Sequence, residues 1–192
     1  MIIKRGKLNE KMVEVEIDYV RYPLDPRKNY CNMSYMVCWH KNYNLGDEHS
    51  FKEPAKFDKW LEKKTAKGEE YVCVPLYLYD HSGITISTTP FHCPWDSGQV
   101  GWAVIFKEQF KDKTDWELKA KKQIIKEVKE YDSYITGNVF VCQIFEVKKC
   151  ECCGKLNHKL IDEIWEVYEI DEIESWLKEI GFEQEGKDIE RN

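Results

Sequence analysis

The sequence predicts an α+β domain with a largely antiparallel sheet of five or six strands and about three helices. Two observations support this fold class: strand-like segments outnumber helical ones, and the two kinds do not alternate regularly along the chain. The length of 192 residues suits one hydrophobic core. We therefore expect a single domain over residues 1–182, followed by a charged tail over residues 183–192.

The first half of the chain is expected to contain three strands and one short helix. Apolar and acidic residues alternate over residues 13–19, which is the period-two pattern of a half-buried strand. Further strands are expected over residues 34–39 and 71–79, and Pro75 predicts an edge or a bulge in the latter because proline cannot donate to a ladder. Between them, residues 54–68 are expected to form a helix that starts with proline and ends with glycine.

The second half is expected to begin with a strand over residues 100–106 and to contain the most regular helix. Residues 114–117, Thr-Asp-Trp-Glu, match a capping box and are expected to open that helix. Strands over residues 139–147 and 160–170 can pair as a hairpin, and a last short helix is expected over residues 173–180. The apolar stripe of the long helix consists of Trp116, Ala120, Ile124, Val128 and Tyr131.

Composition and charge restrict the kind of protein that this can be. The 35 acidic and 29 basic residues give a net charge of −6, which argues against nucleic-acid binding through bulk charge, because phosphates attract a basic surface. No apolar run approaches the ~20 residues that span a bilayer, and the N-terminus lacks the apolar stretch of a signal peptide. We therefore expect no membrane partner and a cytoplasmic location, where the eight cysteines are thiols or metal ligands rather than disulfides.

The segment between Tyr79 and Trp102 concentrates the reactive side chains of the chain. Its candidate catalytic residues are Asp80, His81, Cys93 and Asp96. The two carboxylates suit a divalent cation, His81 suits a general base, and Cys93 near an imidazole suits a nucleophile, because the imidazole favours the thiolate. The alternative interpretation is purely structural, since such residues also cap turns and tie loops together.

A second polar cluster, residues 38–49, is expected either to fold against this segment and share one cleft with it or to be an ordinary polar loop. Loops held by rigid strands are where binding sites usually lie. Together the two segments supply the candidate ligand-binding residues, which are His40, Tyr43, Asp47, Ser82, Trp95, Ser97 and Gln99.

A third cluster, Cys-Glu-Cys-Cys-Gly-Lys over residues 150–155, has the shape of a zinc knuckle. A Cys-x-x-Cys turn directs two thiolates at one ion, and the following glycine permits the tight bend. Cys150, Cys153 and His158 are the expected zinc ligands. Because a second Cys-x-x-Cys pair is missing, closing the tetrahedron would need Cys152 or a distant ligand. The alternative is an exposed hairpin tip with free thiols.

Three motifs resemble those of a family of uncharacterised proteins from bacteriophages, plasmids and other bacterial mobile elements. They are Trp-His-x-x-Tyr-x-Leu-Gly-Asp at residues 39–47, Tyr-Asp-His-Ser-Gly at 79–83 and Cys-Pro-Trp-Asp-Ser-Gly-Gln-Val-Gly at 93–101. The resemblance extends over residues 38–168, and the chain departs from the family pattern at Asp-Glu-Ile-Trp, residues 162–165.

The resemblance implies an accessory role in a bacterial host rather than a particular reaction. It favours a binding or inhibitor protein whose partner is a host protein of a defence system, such as CRISPR or restriction, with the host cytoplasm as its location. The alternative from the residues themselves is a small metal-dependent hydrolase acting on a nucleotide or phosphodiester, or a protein that sequesters a nucleotide ligand. In either case Asp80, His81 and Asp96 would form the centre of the site.

Overall fold

The computed structural model describes residues 1–190 and confirms the α+β class. Pairing between strands is antiparallel throughout the described residues. The strands are β1 Ile2–Leu8, β2 Lys11–Tyr19, β3 Tyr35–Cys38, β4 Tyr71–Asp80, β5 Ile84–Ser87, β6 Ser97–Phe106, β7 Phe140–Lys149, β8 Leu156–Val167, β9 Glu183–Gln184 and β10 Ile189–Glu190. The helices are α1 Pro26–Asn29, α2 Pro54–Ala66, α3 Trp116–Thr136 and α4 Ile170–Glu179, with a short 3-10 helix at Lys107–Gln109.

The chain divides into two compact units where the sequence predicts one domain. Unit 1 consists of residues 1–23 and the chain from residue 137 onward, and unit 2 consists of residues 24–136. The division arises because β2 pairs with β7, so that residues from both ends of the chain build one sheet while the middle builds another. Periodicity along the sequence reports the strands but not which strands pair.

Unit 1 is a six-stranded sheet in the order β10-β1-β2-β7-β8, with β9 also paired to β1. The alternation predicted over residues 13–19 is present, since Val13, Val15 and Ile17 are buried. They pack with residues of β7 and with the apolar face of α4. In the segment expected to be a charged tail, residues 183–184 and 189–190 pair with β1, and residues 191–192 lie outside the described part.

Unit 2 is a four-stranded sheet in the order β3-β6-β4-β5 that carries a helix on each face. Met36, Ala103 and Ile105 face α3, whereas Val37 and Val104 face α2. Burial on both faces explains why these strands are apolar runs instead of alternating patterns. The expected irregularity near Pro75 is also present, as a register shift between residues 76 and 77 where β4 pairs with β6.

Helix α3 begins one residue later than the capping box predicts. The carbonyl of Asp115 accepts the first helical hydrogen bond, from the amide of Lys119 at 3.0 Å, and Asp115 has a left-handed φ of 50°. The amide of Thr114 instead donates to the carboxylate of Asp112 at 3.0 Å. Thr114 is therefore not the N-cap, because Asp112 holds it in the preceding turn.

Unit 2 buries a network of charged side chains around Arg27, whose side chain is only 1% exposed. Its guanidinium donates to both carboxylate oxygens of Asp47, at 2.9 and 2.6 Å, and to Glu127 Oε2 at 3.1 Å. Glu127 also accepts the backbone amides of Met33 and Ser34, at 2.8 and 3.0 Å. The network therefore joins α1, α3, the start of β3 and the loop that follows β3.

No helix among residues 1–190 combines the length and the apolar character that crossing a membrane would require.

We predict that Glu127→Gln destabilises the protein at neutral pH and matters less in acid. Burial by itself would raise the pKa of Glu127, but hydrogen bonds from Ser34, Gln123 and two backbone amides outweigh it, so the pKa lies below its usual 4.5. A lowered carboxyl pKa gives stability that is present above the unfolded-state pKa and is lost as the pH falls through the folded-state value. At pH 7 we expect the loss of a charged, buried hydrogen-bond acceptor to cost about 1.5–3 kcal/mol.

Denaturant unfolding of wild type and variant between pH 7 and pH 3 measures this difference, which should shrink as the pH falls. Glu62→Gln, an exposed carboxylate on α2, is the control and should leave the unfolding free energy nearly unchanged at every pH. A difference between wild type and Glu127→Gln that stays constant with pH would contradict the prediction.

Candidate functional site

The candidate site lies in unit 2, where β4 ends and β6 begins. Residues 81–96 leave the β4–β6 pair and return to it, an excursion closed at its base where the amide of Asp80 donates to the carbonyl of Asp96 at 2.8 Å. Ser82, at a left-handed φ of 58°, and Gly83, at 156°, turn the chain into β5. Helix α3 anchors that strand through Asp132, which accepts the hydroxyl of Thr85 at 2.6 Å. The excursion therefore holds Asp80 and Asp96 side by side although 16 positions separate them in the sequence.

Two Asp–His pairs lie at this junction. His81 Nδ1 is 3.3 Å from Asp96 Oδ2, and His40 Nε2 is 3.9 Å from Asp80 Oδ2. The hydroxyl of Tyr43 donates to Asp80 Oδ1 at 3.4 Å, and the ring of Tyr43 stacks on His40 with centroids 5.0 Å apart. The polar loop after β3 therefore folds against the Asp80 segment as expected, but the Asp and His residues of the two segments do not share one cleft, because Asp47 and His81 do not line the cavity that His40 shares with Asp80.

A cavity of about 300 Å³ opens beside these pairs. A larger cavity of about 700 Å³ adjoins the loop after β3 and shares Trp39, His40 and Lys41 with it. The indole of Trp95 at the rim of the smaller cavity is 91% exposed. The polar and aromatic residues that line the smaller cavity, which we call the Trp95 hollow, are Trp39, His40, Lys41, Asp80, Trp95, Asp96, Ser97 and Gln99.

The candidate nucleophile Cys93 is not paired with an imidazole. Its thiol donates to Asp96 Oδ2 at 3.6 Å, the same oxygen that His81 approaches. The hydroxyl of Ser97 donates to the carbonyl of Cys93, and the side-chain Nε2 of Gln99 donates to the carbonyl of Gly101 at 3.4 Å. Nucleophilic catalysis needs a base next to the nucleophile, and in this arrangement the carboxylate rather than the imidazole occupies that place.

Asp47 serves the buried network instead of a ligand. Both of its oxygens accept from Arg27, and Oδ2 also accepts the amide of Met36 at 2.7 Å. It borders the larger cavity but offers no oxygen that lacks a protein donor. Asp47 therefore contributes to folding, through a partner, Arg27, that lies 20 positions away and outside the motif at residues 39–47.

Lys41, which lines both cavities, and His49, which lines the larger one, are not among the site residues that the sequence predicts, although both lie in the polar cluster at residues 38–49. Lys41 is the one lysine that lines both of them within the described chain. The Nε2–H of His49 donates to the carbonyl of Cys38 at 2.8 Å, while its buried Nδ1 has no partner among residues 1–190. Lys41 lies beside His40 in the motif at residues 39–47, and this position is the sequence feature that could have identified it as a site residue.

The hairpin turn between β7 and β8 gathers three thiols that could hold a metal ion. The sulfur atoms of Cys150, Cys152 and Cys153 all lie within 4.8 Å of one another. Backbone hydrogen bonds close the turn, from Cys150 to the carbonyl of Lys155 and from Gly154 to the carbonyl of Cys150, both at 2.8 Å. We call this group the thiol cluster.

The thiol cluster differs from the expected ligand set by one residue. His158 points away from it, with Nε2 3.6 Å from Glu14 Oε1 and its ring edge against Phe145. The cause is strand alternation: His158 lies within β8, opposite Val147, and so projects from the face of the sheet instead of from the turn. Cys152 takes the expected place of His158.

Hydrogen bonds within the thiol cluster lower the pKa of Cys150 to about 7. The largest contribution comes from the thiol of Cys152, followed by the amides of Cys153 and Cys152, and the pKa of Cys152 is raised in return. Burial, in contrast, raises the pKa of Cys38 and of Cys73 to about 12. Cys150 is thus the cysteine of the pair that ionises first near neutral pH, and a thiolate is the form that binds metals.

The acids and imidazoles of the Trp95 hollow do not form a comparable group. Within residues 1–190, the thiol cluster is the one set of three or more His, Cys, Asp or Glu residues whose ligand atoms lie this close together. Asp80 and Asp96 each face a histidine, so the divalent cation expected between them would have to displace those contacts.

Comparison with protein-family models, with curated proteins and with solved structures found no match to this chain.

Proposed function

We propose that this chain is a binding protein of mobile-element origin that engages a protein of a host defence system, such as CRISPR or restriction, in the bacterial cytoplasm. Its recognition surface is the Trp95 hollow and the rim around it. The observation that carries this proposal is the exposure of Trp95 on a well-anchored turn beside a polar cavity.

Trp95 stands out among the seven tryptophans of the chain. Most of the others are buried or packed against a core cluster, and Trp165 in unit 1 is 55% exposed, against 91% for Trp95. A single exposed apolar residue is common in itself. Tryptophan, however, is enriched among the residues that dominate protein–protein binding energies, which lie beside well-packed pockets.

The turn that carries Trp95 is pre-organised. The hydroxyl of Ser97 binds the carbonyl of Cys93, and the carbonyl of Asp96 accepts the amide of Asp80 at 2.8 Å. A side chain that is already held in place loses less conformational entropy when a partner binds it. The Asp–His pairs next to the turn supply charge that can orient the partner.

The same contacts argue for recognition over catalysis. Ser97 donates to a backbone carbonyl, the Asp96 oxygen that accepts from Cys93 also faces His81, and Asp80 faces His40. A hydrolase would need these groups to exchange partners before it could act.

We expect Trp95→Ala to abolish the anti-defence effect while the fold is retained. Removing a dominant interface residue costs at least about 2 kcal/mol, or roughly thirtyfold in affinity. The measurement is the plating efficiency of a restricted or CRISPR-targeted phage on hosts that express the protein, together with quantitative recovery of the defence component on the tagged chain. Wild type should raise the plating efficiency and should recover the defence component, and Trp95→Ala should do neither.

The matched control is Tyr22→Ala, which removes an aromatic ring that is 79% exposed in unit 1. It should behave like wild type. A Trp95→Ala variant that protects the phage as well as wild type does would rule out the Trp95 hollow as the recognition surface.

A nucleotide ligand is the second candidate, favoured by the shape of the Trp95 hollow. An exposed indole can stack on a base, a contact worth about 1–3 kcal/mol, while Lys41 offers a cation for phosphate. In this reading Asp80 and Asp96 hold a divalent cation when the nucleotide enters, and the protein either hydrolyses or sequesters it.

Calorimetric titration with nucleoside triphosphates, with and without Mg²⁺, tests this second candidate. We expect wild type to bind, and Asp80→Asn to lower the affinity at least tenfold. Asp58→Asn, on α2, is the control and should bind as wild type does. A phosphate-release assay then separates hydrolysis from sequestration. Heats indistinguishable from dilution for wild type would exclude it.

We also propose that the metal held by the thiol cluster is zinc. Three thiolates supply three corners of the tetrahedron that Zn²⁺ prefers, and a water molecule or a partner's side chain supplies the fourth. The lowered pKa of Cys150 favours this, because thiols must lose their protons to bind.

Reduced protein loaded with zinc and passed through a desalting column should retain about one zinc per chain, as measured by mass spectrometry. We expect Cys152→Ser to lose most of the metal and Cys31→Ser, which alters an exposed thiol outside the cluster, to keep it. Bound zinc should also protect Cys150 from alkylation. Equal zinc content in the two variants would show that the cluster is not the site.

A further inference from the structure

Strand β8 forms an open edge of the sheet in unit 1. It has 12 residues, its positions 156–163 are all exposed, and among residues 1–190 its only strand partner is β7. The opposite edge of this sheet is short by comparison, since β9 and β10 have two residues each. Long edge strands are usually blocked, because their free backbone groups can pair with another chain. Four large apolar side chains on β8 are exposed as well: Leu156, Leu160, Ile161 and Trp165.

We propose that two copies of this chain associate through β8, edge to edge and antiparallel, so that the two six-stranded sheets join across a two-fold axis. The partner that this edge fits is therefore a second copy of the same strand. The axis passes between Leu160 and Ile161.

The charges along β8 are complementary to those of the same strand read in reverse. The first half carries His158 and Lys159, and the second half carries Asp162 and Glu163. Antiparallel pairing about the proposed axis sets Lys159 opposite Asp162 and His158 opposite Glu163, and symmetry makes each pair occur twice. Opposite charges placed directly across two strands stabilise the pair, and like charges destabilise it.

The apolar residues follow the same symmetry. Leu160 lies opposite Ile161, and Leu156 lies opposite Trp165. Four exposed apolar side chains per copy are thus covered by one another, which is the self-complementarity that a two-fold interface requires.

An irregularity in β8 makes this register possible. Residues that face each other across a two-fold axis must project from the same face of the sheet, whereas residues 159 and 162 would project from opposite faces in a regular strand. In this chain Leu160 pairs with Phe145 and Asp162 pairs with Ile144, so Ile161 is an additional residue between them. Because of this bulge, Lys159 lies opposite Glu146 and Asp162 lies opposite Ile144. Glu146 and Ile144 are two residues apart in β7, so Lys159 and Asp162 project from the same face of the sheet.

Other registers lose this match. A shift of one residue sets Lys159 opposite Ile161 in one direction or Leu160 opposite Asp162 in the other, which places an apolar side chain against a charge. The same shifts set His158 opposite Asp162 or Lys159 opposite Glu163, but the β7 partners within each of these pairs are three residues apart, so the two charged side chains project from opposite faces of the sheet. A parallel arrangement would bring like charges together. Glu163 already accepts from Gln143 at 2.9 Å and His158 lies near Glu14, so the Lys159–Asp162 pair is the one that selects the register.

Charge reversal tests the interface. Light scattering and sedimentation should give wild type a mass of twice the 22.9 kDa of the monomer. Lys159→Glu and Asp162→Lys each turn two attractive pairs into two repulsive ones, and each should weaken dimerisation by at least about tenfold. Lys122→Glu, at an exposed position of α3, is the matched control and should remain dimeric.

Restoration distinguishes an interface from a folding defect. An equimolar mixture of Lys159→Glu and Asp162→Lys should form a heterodimer, because one pair then joins the two reversed charges and the other joins the unchanged Asp162 and Lys159. A chain with both charges exchanged, Lys159→Asp with Asp162→Lys, should dimerise with itself. Wild type that is monomeric at every concentration up to its solubility limit would overturn the proposal. Single variants that dimerise as wild type does, or a mixture of the two that stays monomeric, would also overturn it.

Discussion

The structure of unit 2 depends on one buried guanidinium. Arg27 lies in a four-residue helix that could not persist alone, yet its side chain is almost wholly enclosed and meets Asp47 on one side and Glu127 on the other. A buried charge is tolerated only with partners around it, and removing any one of them leaves another uncompensated. The network therefore requires α1, α3 and the loop after β3 to adopt one mutual arrangement.

That requirement extends to the candidate site. Because Asp47 is held by Arg27 and by the amide of Met36, the loop after β3 returns along the sheet and carries His40 and Tyr43 to Asp80. On the other side of the site, pairing of β4 with β6 sets Tyr79 opposite Ser97 and so brings Trp95 and Asp96 to the same place. The Trp95 hollow is thus assembled by rigid elements although most of its residues lie in loops.

The two proposed interaction surfaces belong to different units and differ in chemistry. The Trp95 hollow combines an exposed indole with charges that are already paired inside the protein, which suits recognition of a shaped partner. Strand β8 presents a self-complementary row of charges and apolar groups along free backbone. The thiol cluster lies in the turn immediately before β8, so a metal bound there would order the start of that strand.

Local pattern in the sequence by itself determined the α+β class, the strands around residues 13–19 and 140–147, the stripe of α3 and the irregularity near Pro75, because alternation, helical spacing and proline act over a few residues. Only the tertiary structure decided that residues from both ends share one sheet and that Asp47 serves Arg27. It also decided that Cys152 replaces His158 beside Cys150 and Cys153. Those outcomes depend on which strands pair and which face each side chain takes, and a bulge or a distant partner changes both without leaving a periodic signal.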